Sequence, residues 1–382
     1  MAKIKLAETN PIVAICYDFD KTLSPDDMQA QGYIQSVGYS VEDFWKESNE
    51  LAKENGMDEN LAYMFKMKQE AEGNIVFNKD ALKEYGSKVT LFKGVEDWFE
   101  RINKYGEEHG VIIEHYIISS GLKEMIEGTS IAKYFKKIYA SAFYYNERGV
   151  AEWPAQAVNY TNKTQFLFRI EKGALELDDR SVNDYYPPSE IRIPFRNMVY
   201  IGDSDTDIPC MKLVNSFGGH SIGVFNPKNK DKTKVYKMIK ENRIKYFTAA
   251  DYSDNSELDS LVKKIINKTA ENEEIERLYY DCEHEAFNYY ESLSEVDTIK
   301  EELINQLDES RNFETTHKII KELRKNKTWN RKQIDKLLTI ALENHPVRYI
   351  INDKDIKRFY EGILEQSNNK TLNKKVINLM NQ

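Results

Sequence analysis

The sequence predicts an α/β fold in which a parallel sheet carries helices on both faces. The main indication is three apolar, β-rich runs, at residues 11–17, 111–118 and 197–201, that lack polar–apolar alternation. Each run ends in small or acidic residues and leads into a helical pattern. Because parallel α/β sheets bind ligands at the carboxyl ends of their strands, the three ends predict one shared site.

The connection between the first two predicted strands is unusually long. Within residues 25–91, the segments 41–51 and 59–72 carry apolar residues at helical spacing. An ordinary strand-to-helix connection is only a few residues long, so we expect a helical insertion over the site. The segment 95–104 then reads as the helix that returns to the sheet.

Further elements follow in order after the second strand. Residues 138–160 are aromatic and β-rich with a turn signal at 146–149, which predicts a hairpin. A helix is predicted over 164–171. The three prolines of 178–194 indicate a loop, and the apolar runs at 221–225 and 246–250 predict a strand and an edge strand.

The composition changes from about residue 272, where Glu, Lys, Leu and Asn dominate. We expect several helices there, broken near residues 326, 345–346 and 367–369. Charge is divided: residues 271–310 hold 14 acidic and 2 basic residues, and 311–382 hold 8 and 16. Packed or solvated helical faces explain this division, and a docking surface for a partner is the alternative.

Composition limits the classes of function. The 382 residues exceed the usual size of one compact core, and the net charge of -9 disfavours a nucleic-acid or membrane-surface protein. The three cysteines are scattered, which argues against a disulfide framework or a zinc knuckle. No cationic stretch followed by a long apolar run opens the sequence. We therefore expect a cytoplasmic protein with neither nucleic acid nor membrane as partner.

Carboxylates follow two of the three buried runs. Asp18 and Asp20 come directly after the first, and Asp203 and Asp207 come after the third. Carboxylates this close together repel unless a cation or a shared proton compensates them, and Mg²⁺ prefers carboxylate oxygens. A helix N-terminal cap is the alternative explanation for the second group.

Phosphate-binding candidates complete the pattern. Ser119 and Ser120 end the second run, where hydroxyls and free backbone N–H groups can hold an anion. Lys163 precedes the helix predicted over 164–171 and could offset phosphate charge. Lys172 is the alternative lysine, but it precedes Gly173 and so stands at the end of that helix.

In this order, the four motifs resemble the haloacid dehalogenase (HAD) superfamily. The sequence Asp18-Phe-Asp-Lys-Thr22 matches the first motif, Ser119 the second, Lys163 the third, and Gly202-Asp-Ser-Asp-Thr-Asp207 the acidic last one. The resemblance covers about residues 12–266 and is closest to the phosphoserine-phosphatase-like branch. It implies a Rossmann-like α/β core at 1–24 and 92–268 with a helical cap at 25–91. Residues 269–382 would form a helical domain of unknown role.

The resemblance also implies a reaction and its residues. Asp18 would attack the phosphorus of a small phosphorylated metabolite, and Asp20 would serve as general acid and then base. The substrate phosphate would be held by Ser119, Ser120 and Lys163. The resemblance assigns Mg²⁺ to Asp18, Asp20 (through its backbone carbonyl), Asp203 and Asp207.

Asp20 distinguishes a phosphatase from other classes of enzyme in the superfamily. Dehalogenases lack a second aspartate there and P-type ATPases carry threonine, so the chain looks like a phosphatase or, secondarily, a phosphomutase. A binding or regulatory protein that acts through its C-terminal helices is the competing hypothesis. That region could also brace the core or mediate homodimer formation.

Overall fold

The computed structural model describes residues 10–228, 232–291 and 295–381. Residues 1–9 and 229–231 of the predicted core, and 292–294 and 382 of the predicted C-terminal domain, lie outside the described residues. The chain divides into two compact units, Met1–Ile275 and Glu276–Gln382. In the described ranges, no helix has both the length and the apolar character needed to cross a membrane.

The first unit is built on a sheet that contains seven strands among the described residues. The strands are β1 (Ile12–Tyr17), β2 (Ile112–Leu122), β3 (Phe135–Tyr145), β4 (Ala151–Gln156), β5 (Met198–Gly202), β6 (His220–Phe225) and β7 (Tyr246–Ala249). Their order is β4-β3-β2-β1-β5-β6-β7, and every neighbouring pair is parallel except β3 and β4. The predicted α/β fold with a parallel sheet is confirmed.

Strand β1 lies at the centre of this sheet and is buried on both faces. Val13, Ile15 and Tyr17 enter one hydrophobic core, while Ala14 and Cys16 enter a second core on the opposite face. Because both faces are dry, apolar residues occupy consecutive positions rather than alternate ones. This explains why the first run of the sequence shows no alternation.

Helices cover the sheet of the first unit. They are α1 (Tyr33–Ser36), α2 (Val41–Asn55), α3 (Glu59–Ala71), α4 (Lys79–Ser87), α5 (Val95–Glu108), α6 (Lys123–Gly128), α7 (Thr164–Lys172), α8 (Ile208–Ser216), α9 (Thr233–Lys240) and, as far as Ile275, α10 (Glu257–Glu291). Between β1 and α5, helices α1 to α4 form the insertion expected from the long connection. Ser40 and Asp58 start α2 and α3 by accepting hydrogen bonds from backbone N–H groups of the first turn.

Strand β3 forms the predicted hairpin with β4 and also pairs with β2. Its first half pairs in parallel with β2, and its second half pairs antiparallel with β4. Strand β2 is also longer than predicted, because it continues through Ser119 and Ser120 to Leu122 with a shift of register after Ile118. This irregular end of β2 belongs to the site described below.

The second unit is helical. After α10, which begins in the first unit, come α11 (Glu295–Asp308), α12 (Phe313–Leu323), α13 (Arg331–Glu343), α14 (His345–Tyr349), α15 (Lys354–Gln366) and α16 (Lys370–Met380). The three predicted breaks coincide with connections between these helices. The unit has its own hydrophobic core, which includes Leu307, Leu337 and Tyr360. The predicted helical C-terminal region is therefore confirmed.

Candidate active site

The carboxyl ends of β1, β2 and β5 lie side by side and carry the predicted site residues. Strand β1 pairs with β2 on one side and with β5 on the other. The backbone N–H of Asp18 donates to the carbonyl of Ile201 at 3.0 Å, which continues the ladder one residue past β1. The side chains that follow the three strands are thus brought to one place, as the parallel topology predicts.

Asp18 is buried at the centre of this edge. Its Oδ1 accepts the N–H of Phe19 at 2.8 Å and lies 3.4 Å from the ammonium of Lys163. Burial and the charge of Asp207 raise the pKa of Asp18 to about 6, against the lowering effect of Lys163. A carboxylate held this way is desolvated, yet it keeps a cation beside it.

Asp20 stands two residues further and faces the same pocket. Its Oδ1 accepts the backbone N–H of Met28 at 2.8 Å. Burial, followed by the charges of Asp27 and Asp18, raises its pKa well above the usual value. A Cβ at Gly121 would lie 2.8 Å from Oδ2 of Asp20, so a larger residue there would displace the Asp20 carboxylate from this position.

Asp207 is fully buried, and both its oxygens accept hydrogen bonds. Oδ1 accepts from Lys163 at 2.7 Å and from the Tyr200 hydroxyl at 3.0 Å. Oδ2 accepts from the N–H and the hydroxyl of Ser204, at 3.2 and 2.9 Å. Asp207 therefore fixes Lys163 and the turn after β5.

Asp203 directly follows β5 and reaches the same cluster. Burial raises its pKa to about 8, with the charges of Asp207 and Asp18 acting in the same direction. Its Oδ1 accepts a hydrogen bond from the Thr22 hydroxyl at 3.5 Å. The turn after β1 is thereby tied to the turn after β5.

The carboxylate cluster has the character of a metal site. One oxygen each from Asp18, Asp203 and Asp207 lies within 4.8 Å of the others. Carboxylates at these distances repel one another, and this repulsion adds to the effect of burial in raising the pKa values of Asp18 and Asp203. An all-oxygen donor set of this kind fits a hard divalent cation such as Mg²⁺.

The end of β2 supplies two hydroxyls. The Ser119 side chain is buried, and its oxygen accepts the N–H of Gly121 at 3.1 Å. The Ser120 hydroxyl is also buried and has no hydrogen-bond partner in the described part of the chain. The backbone carbonyl of Ser120, in contrast, accepts hydrogen bonds from the hydroxyls of Tyr63 and Ser141. A buried hydroxyl without a partner is costly unless a ligand uses it.

The two candidate lysines occupy different places. Lys163 is fully buried, with its ammonium between Asp18 and Asp207. The Lys172 ammonium donates instead to the carbonyls of Val182 and Asp184, at 2.7 and 2.6 Å. The geometry thus brings Lys163 to the carboxylates and uses Lys172 to hold the loop after α7.

A cavity of about 400 Å³ opens onto these groups. Its strand-end wall consists of Asp18, Asp20, Ser119, Ser120, Gly121 and Asp203. Its cap wall consists of Met57, Asp58, Glu59, Asn60, Asn159 and Tyr160. Lys21, Asp27, Ser204 and Thr206 complete the lining.

None of the cap-wall residues was predicted from the sequence. Aromatic and basic residues are frequent in the cap, but the described lining does not include Trp45, Lys46, Tyr63, Lys66 or Lys68. Lys66, for example, pairs with Glu47 and Glu70. The usable signal was Asp58, whose position before an apolar helical pattern marks a helix start, and the start of α3 is what reaches the pocket.

The cap wall is held by two hydrogen bonds between the cap and the core. Asn60 Nδ2 donates to the carbonyl of Val158, and Asn159 Nδ2 donates to Asp58 Oδ2, both at 2.6 Å. These bonds join the first turn of α3 to the loop that follows β4. Residues of the cap and of the core therefore shape the pocket together.

The sequence pattern of the haloacid dehalogenase-like hydrolases matches residues 15–212, more than half of the chain. The chain belongs to this family. The HAD match runs from β1 into α8 and so includes the cap helices and all the site residues. The helical second unit lies outside the HAD match.

Individual relatives resemble about two thirds of the chain. An uncharacterized protein of Borreliella burgdorferi is 28% identical over 278 residues, which are 66% of this chain and 95% of that protein. A HAD family hydrolase of Salmonella enterica serovar Typhi has a TM-score of 0.44 at 16% identity, covering 68% of this chain and 73% of its own. A probable phosphoserine phosphatase of Vibrio cholerae has a TM-score of 0.44 at 12% identity, covering 69% and 67%.

Proposed function

We propose that the protein is a Mg²⁺-dependent phosphatase that hydrolyses a small phosphomonoester through an aspartyl-phosphate on Asp18. The observation that carries this proposal is the placement of Asp18. It lies beside a buried ammonium, among carboxylates that fit a divalent cation, with Asp20 facing the same pocket. The cavity of about 400 Å³ suits a small metabolite.

In the first step, a carboxylate oxygen of Asp18 attacks phosphorus. A new O–P bond forms as the bond between phosphorus and the substrate alcohol breaks. The departing alkoxide takes a proton from Asp20, whose raised pKa favours the protonated form that this step needs. The products are the alcohol, the phosphorylated Asp18 and ionised Asp20.

In the second step, water attacks the phosphorus of the aspartyl-phosphate. Asp20, now ionised, accepts a proton from the water as the new O–P bond forms. The bond between Asp18 and phosphorus breaks, which releases inorganic phosphate and restores both carboxyl groups. Splitting the hydrolysis into two displacements lowers the barrier of each.

Three side chains hold the phosphoryl group in this proposal. Ser119, Ser120 and Lys163 surround the carboxylate that attacks, and the hydroxyl of Ser120 is the free donor among them. Donors already in place where negative charge develops stabilise the transition state with little reorganisation. Lys163 contributes a full positive charge next to the Asp18–phosphorus bond.

Mg²⁺ would be held by Asp18, by the backbone carbonyl of Asp20 and by Asp203, with Asp207 in support. Asp207 keeps its supporting role because its two oxygens already accept bonds from Lys163, Tyr200 and Ser204. A bound Mg²⁺ would screen the negative nucleophile from the negative phosphate.

The compartment proposed for this activity is the cytoplasm. All three cysteines are free: Cys16 and Cys210 are buried and Cys282 is exposed. Free thiols of this kind suit a reducing environment.

The test is hydrolysis of p-nitrophenyl phosphate with Mg²⁺ and with EDTA. We expect activity only with the metal, and a loss of roughly 10⁴-fold or more in Asp18→Asn, as when other covalent nucleophiles are removed. Asp26→Asn is the matched control, because Asp26 is exposed on the same loop and outside the pocket lining. Full activity in Asp18→Asn would rule out the mechanism.

A further inference from the structure

We infer that the cap wall selects substrates whose leaving group carries a cationic amine, so that the substrate is the phosphomonoester of an amino alcohol. A leaving group with a carboxylate is disfavoured. This inference rests on the proposed function, because it concerns the leaving-group side of the same pocket. The charges and hydrogen bonds around the cavity support it.

The pocket lining has a marked excess of negative charge. Of the described lining residues, six carry carboxylates, and the only ammonium belongs to Lys21. Asp18, Asp20 and Asp203 are accounted for by the reaction and its metal, which leaves Asp27, Asp58 and Glu59. The Lys21 ammonium lies 2.9 Å from Asp27 and is neutralised there. No described cation of the lining is therefore left to receive an anionic leaving group.

The N-terminus of α3 is the feature of the cap that could otherwise bind an anion. Its own residues already occupy it: Asp58 Oδ1 accepts the N–H groups of Asn60 and Leu61, at 3.0 and 3.1 Å. Glu59, the first residue of α3, adds a second carboxylate at the same position. The positive end of this helix is thus covered by negative side chains on the side that lines the pocket.

The two amides of the cap wall already donate hydrogen bonds that join the cap to the core. Asn60 donates to the carbonyl of Val158, and Asn159 donates to Asp58. In the described part of the chain, Glu59 makes no side-chain hydrogen bond or ion pair, so its carboxylate is available to a ligand. The half-exposed ring of Tyr160 lines the pocket with it and offers a π-face to an ammonium group.

The test compares substrates that differ by one charged group. Phosphoethanolamine and O-phosphoserine share the phosphate and the amine, and only O-phosphoserine has a carboxylate. Glycerol phosphate supplies an uncharged leaving group. With the full chain and Mg²⁺, we expect kcat/KM for phosphoethanolamine to exceed that for O-phosphoserine by about tenfold or more, because like charges in a partly desolvated pocket are strongly unfavourable. Glycerol phosphate should fall between them.

Glu59 variants test the assignment of the cap wall. Glu59→Gln should lower the ratio of phosphoethanolamine to O-phosphoserine kcat/KM, and Glu59→Lys should lower it further. Glu50→Lys is the matched control, because Glu50 is an exposed acid of α2 outside the pocket lining. It changes the charge of the cap equally and should leave the ratio as it is in the unmodified protein.

The outcomes separate this inference from the proposed function. Failure to hydrolyse p-nitrophenyl phosphate would overturn the proposed function, and this inference with it. Hydrolysis of p-nitrophenyl phosphate together with an equal or higher kcat/KM for O-phosphoserine would overturn the inference alone. So would a substrate ratio that is the same in Glu59→Lys, Glu50→Lys and the unmodified protein.

Discussion

Lys163 is a fully buried ammonium ion that serves two carboxylates at once. Its Nζ lies 2.7 Å from Asp207 and 3.4 Å from Asp18. The two carboxylates raise its pKa, although burial acts in the opposite direction. Removing a single partner from such a group leaves buried charge without compensation, which costs far more than losing an exposed ion pair.

Lys163→Met should therefore lower the free energy of unfolding by about 3–5 kcal/mol at neutral pH, since both carboxylates lose their cation. The deficit should shrink as the pH falls, because protonation of Asp18 removes its repulsion with Asp207. Urea unfolding at several pH values measures both effects. Lys172→Met is the matched control in α7, and an equal loss in the two variants would contradict the role given to Lys163.

The choice between these lysines shows what the sequence alone could decide. Both residues border the helix predicted over 164–171, and only the position of Lys163 at the helix start distinguished them. The distinction depends on where the loop after α7 runs, because that loop supplies the carbonyls that Lys172 binds. Irregular loops leave little pattern in a sequence, so only the structure separates the two.

At the scale of elements, α4 and α6 pack with almost no space between their backbones. A Cβ at Gly86 would lie 1.9 Å from the carbonyl oxygen of Met125, and a Cβ at Gly128 would lie 2.0 Å from that of Lys83. Backbone at such distances cannot move aside as a flexible side chain can. The glycines thus allow the last helix before α5 to rest directly on the core.

Gly86→Ala should lower the stability of the first unit by roughly 1–3 kcal/mol or more, because the added methyl group forces the helices apart. Thermal unfolding followed by circular dichroism measures this change. Ser87→Ala, at the exposed neighbouring position of α4, should be nearly neutral. Similar unfolding temperatures for the two variants would show that α4 can shift without cost.

A chain of hydrogen bonds joins α5 to the sheet. Trp98 donates to the hydroxyl of Tyr17 at 2.8 Å, and that hydroxyl donates to Nδ1 of His115 at 3.0 Å. His115 Nε2 in turn donates to Oδ1 of Asn103 at 2.9 Å. This arrangement uses the neutral imidazole, and burial lowers the pKa of His115 to about 3.

Acid should therefore weaken the fold through His115. The pKa of about 3 in the folded protein lies below the ordinary value of 6.5, so the unfolded chain takes up a proton that the folded one refuses. The stability contributed by this group is full above pH 6.5 and falls as the pH drops from 6.5 toward 3. At about pH 4.5 the loss should be roughly 2–3 kcal/mol.

His115→Gln removes the titration but can still donate and accept hydrogen bonds. Between pH 7 and about 4.5, urea unfolding should show a smaller loss of stability in this variant than in the unmodified protein. His220 also has a lowered pKa, of about 4, so some acid sensitivity will remain. Identical pH profiles for the two proteins would contradict the assignment to His115.

Some elements could be predicted fully and others only in part, depending on whether their own sequence carries a clear pattern. Strands β1, β2 and β5 could be found because burial on both faces produces continuous apolar runs. Strand β3 was interpreted only as half of a hairpin, since its pairing with β2 depends on tertiary contacts that its aromatic sequence does not encode. Helix α10 likewise begins at Glu257, well before the change in composition near residue 272.

At the scale of the whole molecule, the strand-end wall could be predicted and the cap wall could not. Asp18, Ser119 and Asp203 meet because parallel strands end at one edge, which is a rule of topology. Met57, Asn60 and Tyr160 meet because an insertion folds back over that edge, and no general rule fixes where such a segment comes to lie. The cap wall, to which we attribute substrate choice, is therefore the part of the site that the sequence did not predict.

With Mg²⁺ bound as proposed, the acidic cluster would link the thermal stability of this protein to the cation concentration. Because the pKa of Asp203 is raised from 3.8 to about 8, its ionised form opposes folding as the pH rises through that range. A cation that binds only the folded state reverses this effect by mass action. The fold is then least stable above that pH range when no cation is bound to the cluster.

Asp203→Asn should accordingly raise the melting temperature in EDTA and abolish the further rise that Mg²⁺ causes in the unmodified protein. Thermal scans with and without Mg²⁺ measure this without any substrate. Asp205→Asn, at the exposed neighbouring acid, should retain the Mg²⁺ response. If Mg²⁺ raised the melting temperature of Asp203→Asn as much as that of the unmodified chain, the cation would have to bind elsewhere. A melting curve thus becomes a gauge of metal occupancy, and it can be read before the substrate is known.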